Sequence, residues 1–159
     1  IDVHQGGSIL LQLPDGKNML IDGGDKDSKI AAHIINYLFD YTDLKDENGK
    51  ITLDYVMLTH TDADHCGSLD NVIAHEDINV KNVYRPMVVA GSKYFSNDPL
   101  KEYAEEMNYA VDTVTTQAYS DFMNAVYGEP TLENVYYNRR GRGIHILFLQ
   151  SVGGNVQNH

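Results

Sequence analysis

Residues 58–69 read "LTHTDADHCGSL", and their reading decides the fold. Two histidines and two aspartates, His60, Asp62, Asp64 and His65, fall within six positions. They follow the run "DYVML" at 54–58, which reads as the end of a buried strand. A strand that ends in a tight loop points successive side chains in different directions. Closely spaced ligands there can serve two neighbouring ions. Neutral imidazole and carboxylate both suit Zn, Mn or Fe. In a two-metal site the ions lie about 3.5–4 Å apart, share a water and lower its pKa. That chemistry needs no protein nucleophile, and the chain has no Ser–His–Asp or Cys–His signature. The competing structural reading makes Asp62 or Asp64 a cap of the next helix and leaves the histidines on the surface.

Outward from this motif, strands alternate with helices. Residues 7–24, "GSILLQLPDGKNMLIDGG", predict a β-hairpin, with Pro14, Asp15 and Gly16 as turn residues. A helix follows, with Ile30, His33, Ile34, Tyr37, Leu38 and Tyr41 at helical spacing and Asp27 or Ser28 as its cap. The spacing then predicts a helix over about 67–76, a strand at 80–86 stopped by Pro86, and a helix capped by Asn97 or Asp98. A further helix is expected at about 117–127 and a late strand at 141–150. The order ββαβαβα(α)β suits one layered α/β domain with ligands gathered at strand ends.

Composition narrows the function. The 159 residues carry 23 Asp+Glu against 12 Lys+Arg, a net charge of −11. Such a surface repels phosphate backbones at long range and argues against a nucleic-acid-coating module. It leaves room for a phosphodiesterase, because bound cations reverse the local sign. No apolar run reaches the ~20 residues of a membrane span. The expectation is a soluble, cytoplasmic chain. The single cysteine, Cys66, excludes an internal disulfide and reads as a small buried residue.

The run "THTDADHCGSL" resembles the metal motif of the metallo-β-lactamase fold, in the variant with Asp62 where a second His usually stands. The opening "IDVHQGGSILLQLPDGKNMLIDGG" resembles the first hairpin of the nuclease-like domain of competence (DNA-uptake) proteins. The resemblance implies a four-layer αββα sandwich, of which 1–159 is the N-terminal portion. It implies that His60 and Asp62 bind one divalent ion and that Asp64 and His65 bind a second, Zn or Mn, with Fe as an alternative. Asp64 takes the catalytic role. Asp22, Gly23 and Gly24 match the loop that passes the metal pocket. His4 stands where the family has Gly and also lines the pocket on this reading; Gly7 stands where the family has Asp.

The family's later ligands, a bridging Asp and closing histidines, have no counterpart after residue 65. His33, His75, His145 and His159 read as packed, helix-end, strand and terminal residues. "RRGR" at 139–142 reads as a solvated turn. The expectation is therefore a fragment holding half of a site. The activity implied is binuclear metal-dependent hydrolysis, foremost of a small-molecule or nucleic-acid phosphodiester. The alternatives are hydrolysis of a thioester, lactone or lactam, and a degenerate non-catalytic domain of the same fold.

Overall fold

A computed structural model describes residues 1–138 and 147–151. The opening hairpin forms as the turn chemistry requires. Strand β1 (Ile9–Gln12) pairs antiparallel with β2 (Asn18–Ile21), with Ile9 opposite Ile21 and Gln12 opposite Asn18. Helix α1 (Ser28–Asp40) starts at Asp27, whose carboxylate accepts from the Lys29 N–H at 2.7 Å. It buries Ala31, Ile34 and Leu38 at helical spacing. His33 is exposed on its other side.

Strand β3 (Ile51–Met57) follows, then two short helices, α2 (Ala63–Cys66) and α3 (Leu69–Ile73). The helix expected over about 67–76 is α3, shorter than expected, and α2 precedes it. Gly67 joins them where the backbone of another loop presses close: a Cβ would meet the Ala63 carbonyl oxygen at 2.2 Å and the Lys26 nitrogen at 2.3 Å. Strand β4 (Ile78–Pro86), short strand β5 (Val88–Ala90), helix α4 (Pro99–Glu106) and strand β6 (Asp112–Val114) come next. Helix α5 (Gln117–Gly128) and strands β7 (Asn134–Asn138) and β8 (Leu147–Ser151) complete the described chain. Asp98, not Asn97, caps α4, accepting from the Leu100 N–H at 3.0 Å.

The main sheet has six strands in the order β1-β2-β3-β4-β7-β8. β2, β3, β4 and β7 run parallel, with β1 and β8 antiparallel at the edges. β5 and β6 form a separate two-stranded parallel ribbon. The ribbon, β7 and α2 are additions to the expected order. The late strand appears at 147–151; the rest of its expected span, with "RRGR" and His145, lies outside the described residues, as does His159.

One sheet face packs against the helices. Leu20, Leu53, Val56, Val80 and Val83 join Ile34, Leu38, Leu69, Val72, Phe122 and Val126 in one core. The opposite face is most open at its β1 edge, while Tyr136 on it is buried. Register places Ile9, Ile21, Met57, Tyr84 and Tyr136 in one row across five strands. Ile9 is 53% exposed at its edge, and the Tyr84 and Tyr136 rings stack at 4.6 Å. This is a mixed α/β domain with a central sheet and helices, as the sequence implies. Because β2, β3 and β4 are parallel, their C-terminal ends share one edge. Asp22, the 58–60 segment and Pro86 lie there together.

Candidate metal centre

The loop after β3 is fastened before it turns. The Leu58 N–H donates to the Tyr84 carbonyl at 2.8 Å, extending the β3–β4 pairing one residue further. The Thr59 N–H then leaves the sheet and donates to Asp22 Oδ1 at 2.8 Å. Thr59 Oγ1 donates to Asp22 Oδ2 at 2.5 Å. The chain passes His60 and Thr61 and enters α2 at Asp62.

Asp22 organises this edge. It is 5% exposed and sits at φ 56, in the left-handed region. Asp tolerates that region better than most residues. Besides Thr59, its Oδ2 lies 2.9 Å from His65 Nδ1. A carboxylate can only accept, so His65 Nδ1 carries the proton, and in the neutral imidazole Nε2 keeps its lone pair for a ligand. This is the arrangement in which a carboxylate orients a metal-binding imidazole from behind. The hydrogen bond to Asp22 raises the His65 pKa above its ordinary 6.5; desolvation opposes this, and the charges of Asp22, Asp64 and Asp62 add to it. The loop after Asp22 is tied to the same histidine, since the Gly23 N–H donates to the His65 carbonyl at 2.7 Å. Gly24 follows at φ 66, its N–H on the Gly7 carbonyl.

Asp62 occupies the N-cap position of α2, yet its side chain makes no cap hydrogen bond. Its backbone carbonyl accepts from the His65 and Cys66 N–H groups at 3.0 Å, while the carboxylate turns to His60, with Oδ2 at 3.1 Å from Nδ1. Two ligands of one tetrahedral ion, each about 2.0–2.2 Å from it, stand about 3.4 Å apart. The His60–Asp62 spacing is close to that. Asp64 lies in the first turn of α2, half-buried. The His60 and His65 rings are 5.8 Å apart. The capping alternative for Asp62 is thus not what its side chain does.

The donors fit a divalent cation in kind. They do not close a coordination sphere. Among the described residues, no group of three or more His, Cys, Asp or Glu side chains converges enough to hold an ion. Cys66 does not join them: it is fully buried, its Sγ faces the Thr61 carbonyl at 3.5 Å, and burial pushes its thiol up to about 12.

The opening loop reaches the same place. Gly6 sits at φ 81, and a Cβ there would lie 1.7 Å from the Asp64 carbonyl oxygen. Only glycine lets the backbone approach this closely. His4, two residues earlier, is exposed at φ 60, and its N–H donates to Asp2. His75 is remote from the motif; its Nδ1 accepts from the Asp77 N–H and its ring meets Phe39. Sequence reasoning put Asp22 near the site but missed Thr59, the hydroxyl that shares its carboxylate. The Thr before the first His was the available signal.

Beside His60 opens a cleft of about 350 Å³, which sequence reasoning did not anticipate. Its lining comes from the 59–61 loop, the segment 86–88 and the segment 110–114.

A family model described as the metallo-beta-lactamase superfamily matches residues 1–132, the whole of this edge and its supports. No curated protein and no solved structure matches the chain.

Proposed function

This chain belongs to the metallo-β-lactamase superfamily, and on that premise we propose that it contributes one lobe's ligands to a binuclear metal-dependent hydrolase. Membership implies metal-dependent hydrolysis. The observation that carries it is His65, held through Nδ1 by Asp22 so that Nε2 is free to ligate.

On this reading His60 and Asp62 hold one ion, and Asp64 and His65 the other, Zn or Mn. When bound, the ions supply Lewis acidity and make water a nucleophile near neutral pH. The chain's own groups do the positioning. Asp22 Oδ2 keeps the proton on His65 Nδ1. Thr59 keeps Asp22 in place through two hydrogen bonds. Asp64 is the catalytic carboxylate on this reading, the group that would accept a proton at its oxygen. Gly6, Gly23 and Gly24 let two loops pass behind these groups.

The remaining ligands belong to a second lobe. The other sheet face, with its apolar row of Ile21, Met57, Tyr84 and Tyr136, is where a second sheet would pack to complete the four-layer αββα sandwich. A phosphodiester is the substrate class favoured by the motif and the opening hairpin. A thioester, lactone or lactam is the second reading, favoured by the cleft beside His60, whose sides carry Met87, Val88, Val111 and Val114. The test is a substrate panel on the native protein loaded with Mn or Zn. Cleavage of bis(4-nitrophenyl) phosphate, lost in Asp64→Ala, is expected. Cleavage of a thioester or lactone alone would move the assignment to the second class. No cleavage of either by metal-loaded protein contradicts the hydrolase reading.

A further inference from the structure

The cleft beside His60 is built by elements outside the metal motif. Its floor is the 59–61 loop, and its sides are the residues after β4 and the strand β6. Met87, Val88, Val111 and Val114 put apolar side chains on its sides, above a polar floor of Thr59, His60 and Thr61. Met87 is 9% exposed and the three valines are half-buried, so the walls are anchored in the core. The one acidic side chain in the lining, Asp112, is exposed at the rim.

These walls are held rigidly. Arg85 is fully buried, and its Nη1 donates to the Val88 carbonyl at 3.0 Å. Tyr119 Oη donates to the same carbonyl at 3.1 Å. Asp98 Oδ2 accepts from the Ala90 N–H at 2.8 Å, fixing the far end of β5. Across the ribbon, Gly91 donates its N–H to the Val114 carbonyl at 3.0 Å. A Cβ at Gly91 would lie 2.2 Å from Thr113 Cγ2, so the two strands close directly on each other. A cleft with walls fixed by a buried ion pair is preformed, which lowers the cost of binding.

We propose that this cleft binds the uncharged apolar part of the substrate, an aryl or short alkyl group attached beside the scissile bond at His60. Size, wall chemistry and rim charge each support it. An apolar cavity of about 150 Å³ holds a benzene ring, so about 350 Å³ accommodates a ring with a short chain. The apolar side chains on its sides reward desolvation of such a group. The Asp112 carboxylate at the rim repels an anionic one. The assignment of the group as substrate rests on the hydrolase reading above; the ligand site itself does not.

The test uses an isosteric pair, phenylacetamide and phenylacetate, titrated into the metal-free 159-residue chain. Methyl resonances of Met87, Val88, Val111 and Val114 report binding. Phenylacetamide is expected to shift them saturably, and phenylacetate to bind at least ~10-fold more weakly. Asp112→Asn is expected to narrow that gap to about 3-fold or less. Absence of saturable shifts with phenylacetamide overturns the proposal. So does equal or tighter binding of phenylacetate by the unaltered chain, or shifts confined to Tyr84 and Tyr136 on the other sheet face. A parallel Zn titration read on the His60 and His65 rings separates the two readings. Zn binding without phenylacetamide binding removes the cleft proposal alone. Phenylacetamide binding with no cleavage of either substrate class by the metal-loaded native protein removes the hydrolase reading and with it the role in substrate binding.

Discussion

Two charged clusters stand at the ends of neighbouring parallel strands, and they are finished differently. At the end of β4, Arg85 and Asp98 are both fully buried and face each other at 2.5 Å. Tyr119 Oη accepts from Arg85 Nη1 at 2.7 Å, and the guanidinium lies 4.6 Å from the centre of the Tyr137 ring. Asp98 spends its oxygens on Arg85, the Ala90 N–H and the Leu100 N–H. At the end of β3, Asp22 is equally well used, but the groups in front of it are not. Asp62 declines its cap, and His65 presents an unused Nε2. A cluster whose opposite charges are buried against each other holds a fold, even with Arg85 Nε left unpartnered among the described residues. One that is supported from behind and left open in front is arranged for a ligand.

Breaking the closed cluster gives the largest expected effect. Asp98→Ala leaves Arg85 buried without its counter-ion and removes the α4 cap. Unfolding in urea is expected to show a loss of about 3–5 kcal/mol. A loss below ~1 kcal/mol indicates that water reaches Arg85, and the contrast between the clusters fails.

Gly6→Ala comes next. It places a methyl against the Asp64 carbonyl at a positive φ, and the two penalties together amount to about 2–4 kcal/mol. The same denaturant curve measures it. A neutral substitution there means that the opening loop does not press on the motif.

Asp22→Asn probes the open cluster. Asn tolerates the left-handed backbone and keeps the shape, but it weakens the hold on His65 Nδ1. Zn affinity, measured by competition with a chromophoric chelator, is expected to fall about 10–100-fold with the fold retained. Unchanged affinity removes His65 from the ligand set or Asp22 from its support.

The smallest effect is expected at Cys66. Its buried thiol, pushed up to about 12, should resist alkylation in the native chain at pH 8 and react only as the chain unfolds. Rapid native alkylation means that α2 opens readily, and the motif is then less ordered than its supports imply.

The sequence made the open cluster more legible than the closed one. Local signals, the Pro-Asp-Gly turn, the Asp27 cap and the ligand spacing at 60–65, act over a few residues and could be read directly. Arg85 could not, because its burial depends on Asp98, Tyr119 and Tyr137, brought to it by three other elements. The β5–β6 ribbon was hidden for a related reason. Its strands are three residues each, and β6 is mostly exposed, so no alternation marks them. Strand β7, "NVYYN", carries a β-branched and aromatic signal, yet it is not among the expected elements. Asp22 was placed near the site by its loop, but its grip on Thr59 and His65 needed the parallel pairing of β2 with β3.

The central claim is that His60, Asp62, Asp64 and His65 are metal ligands. A Zn titration of the chain, followed on the imidazole resonances, tests it most directly. The account predicts saturable shifts at the His60 and His65 rings, none at exposed His33, reversal by EDTA and weakening in Asp64→Ala. Shifts of equal size at all three rings, or none at His60 and His65, would contradict it.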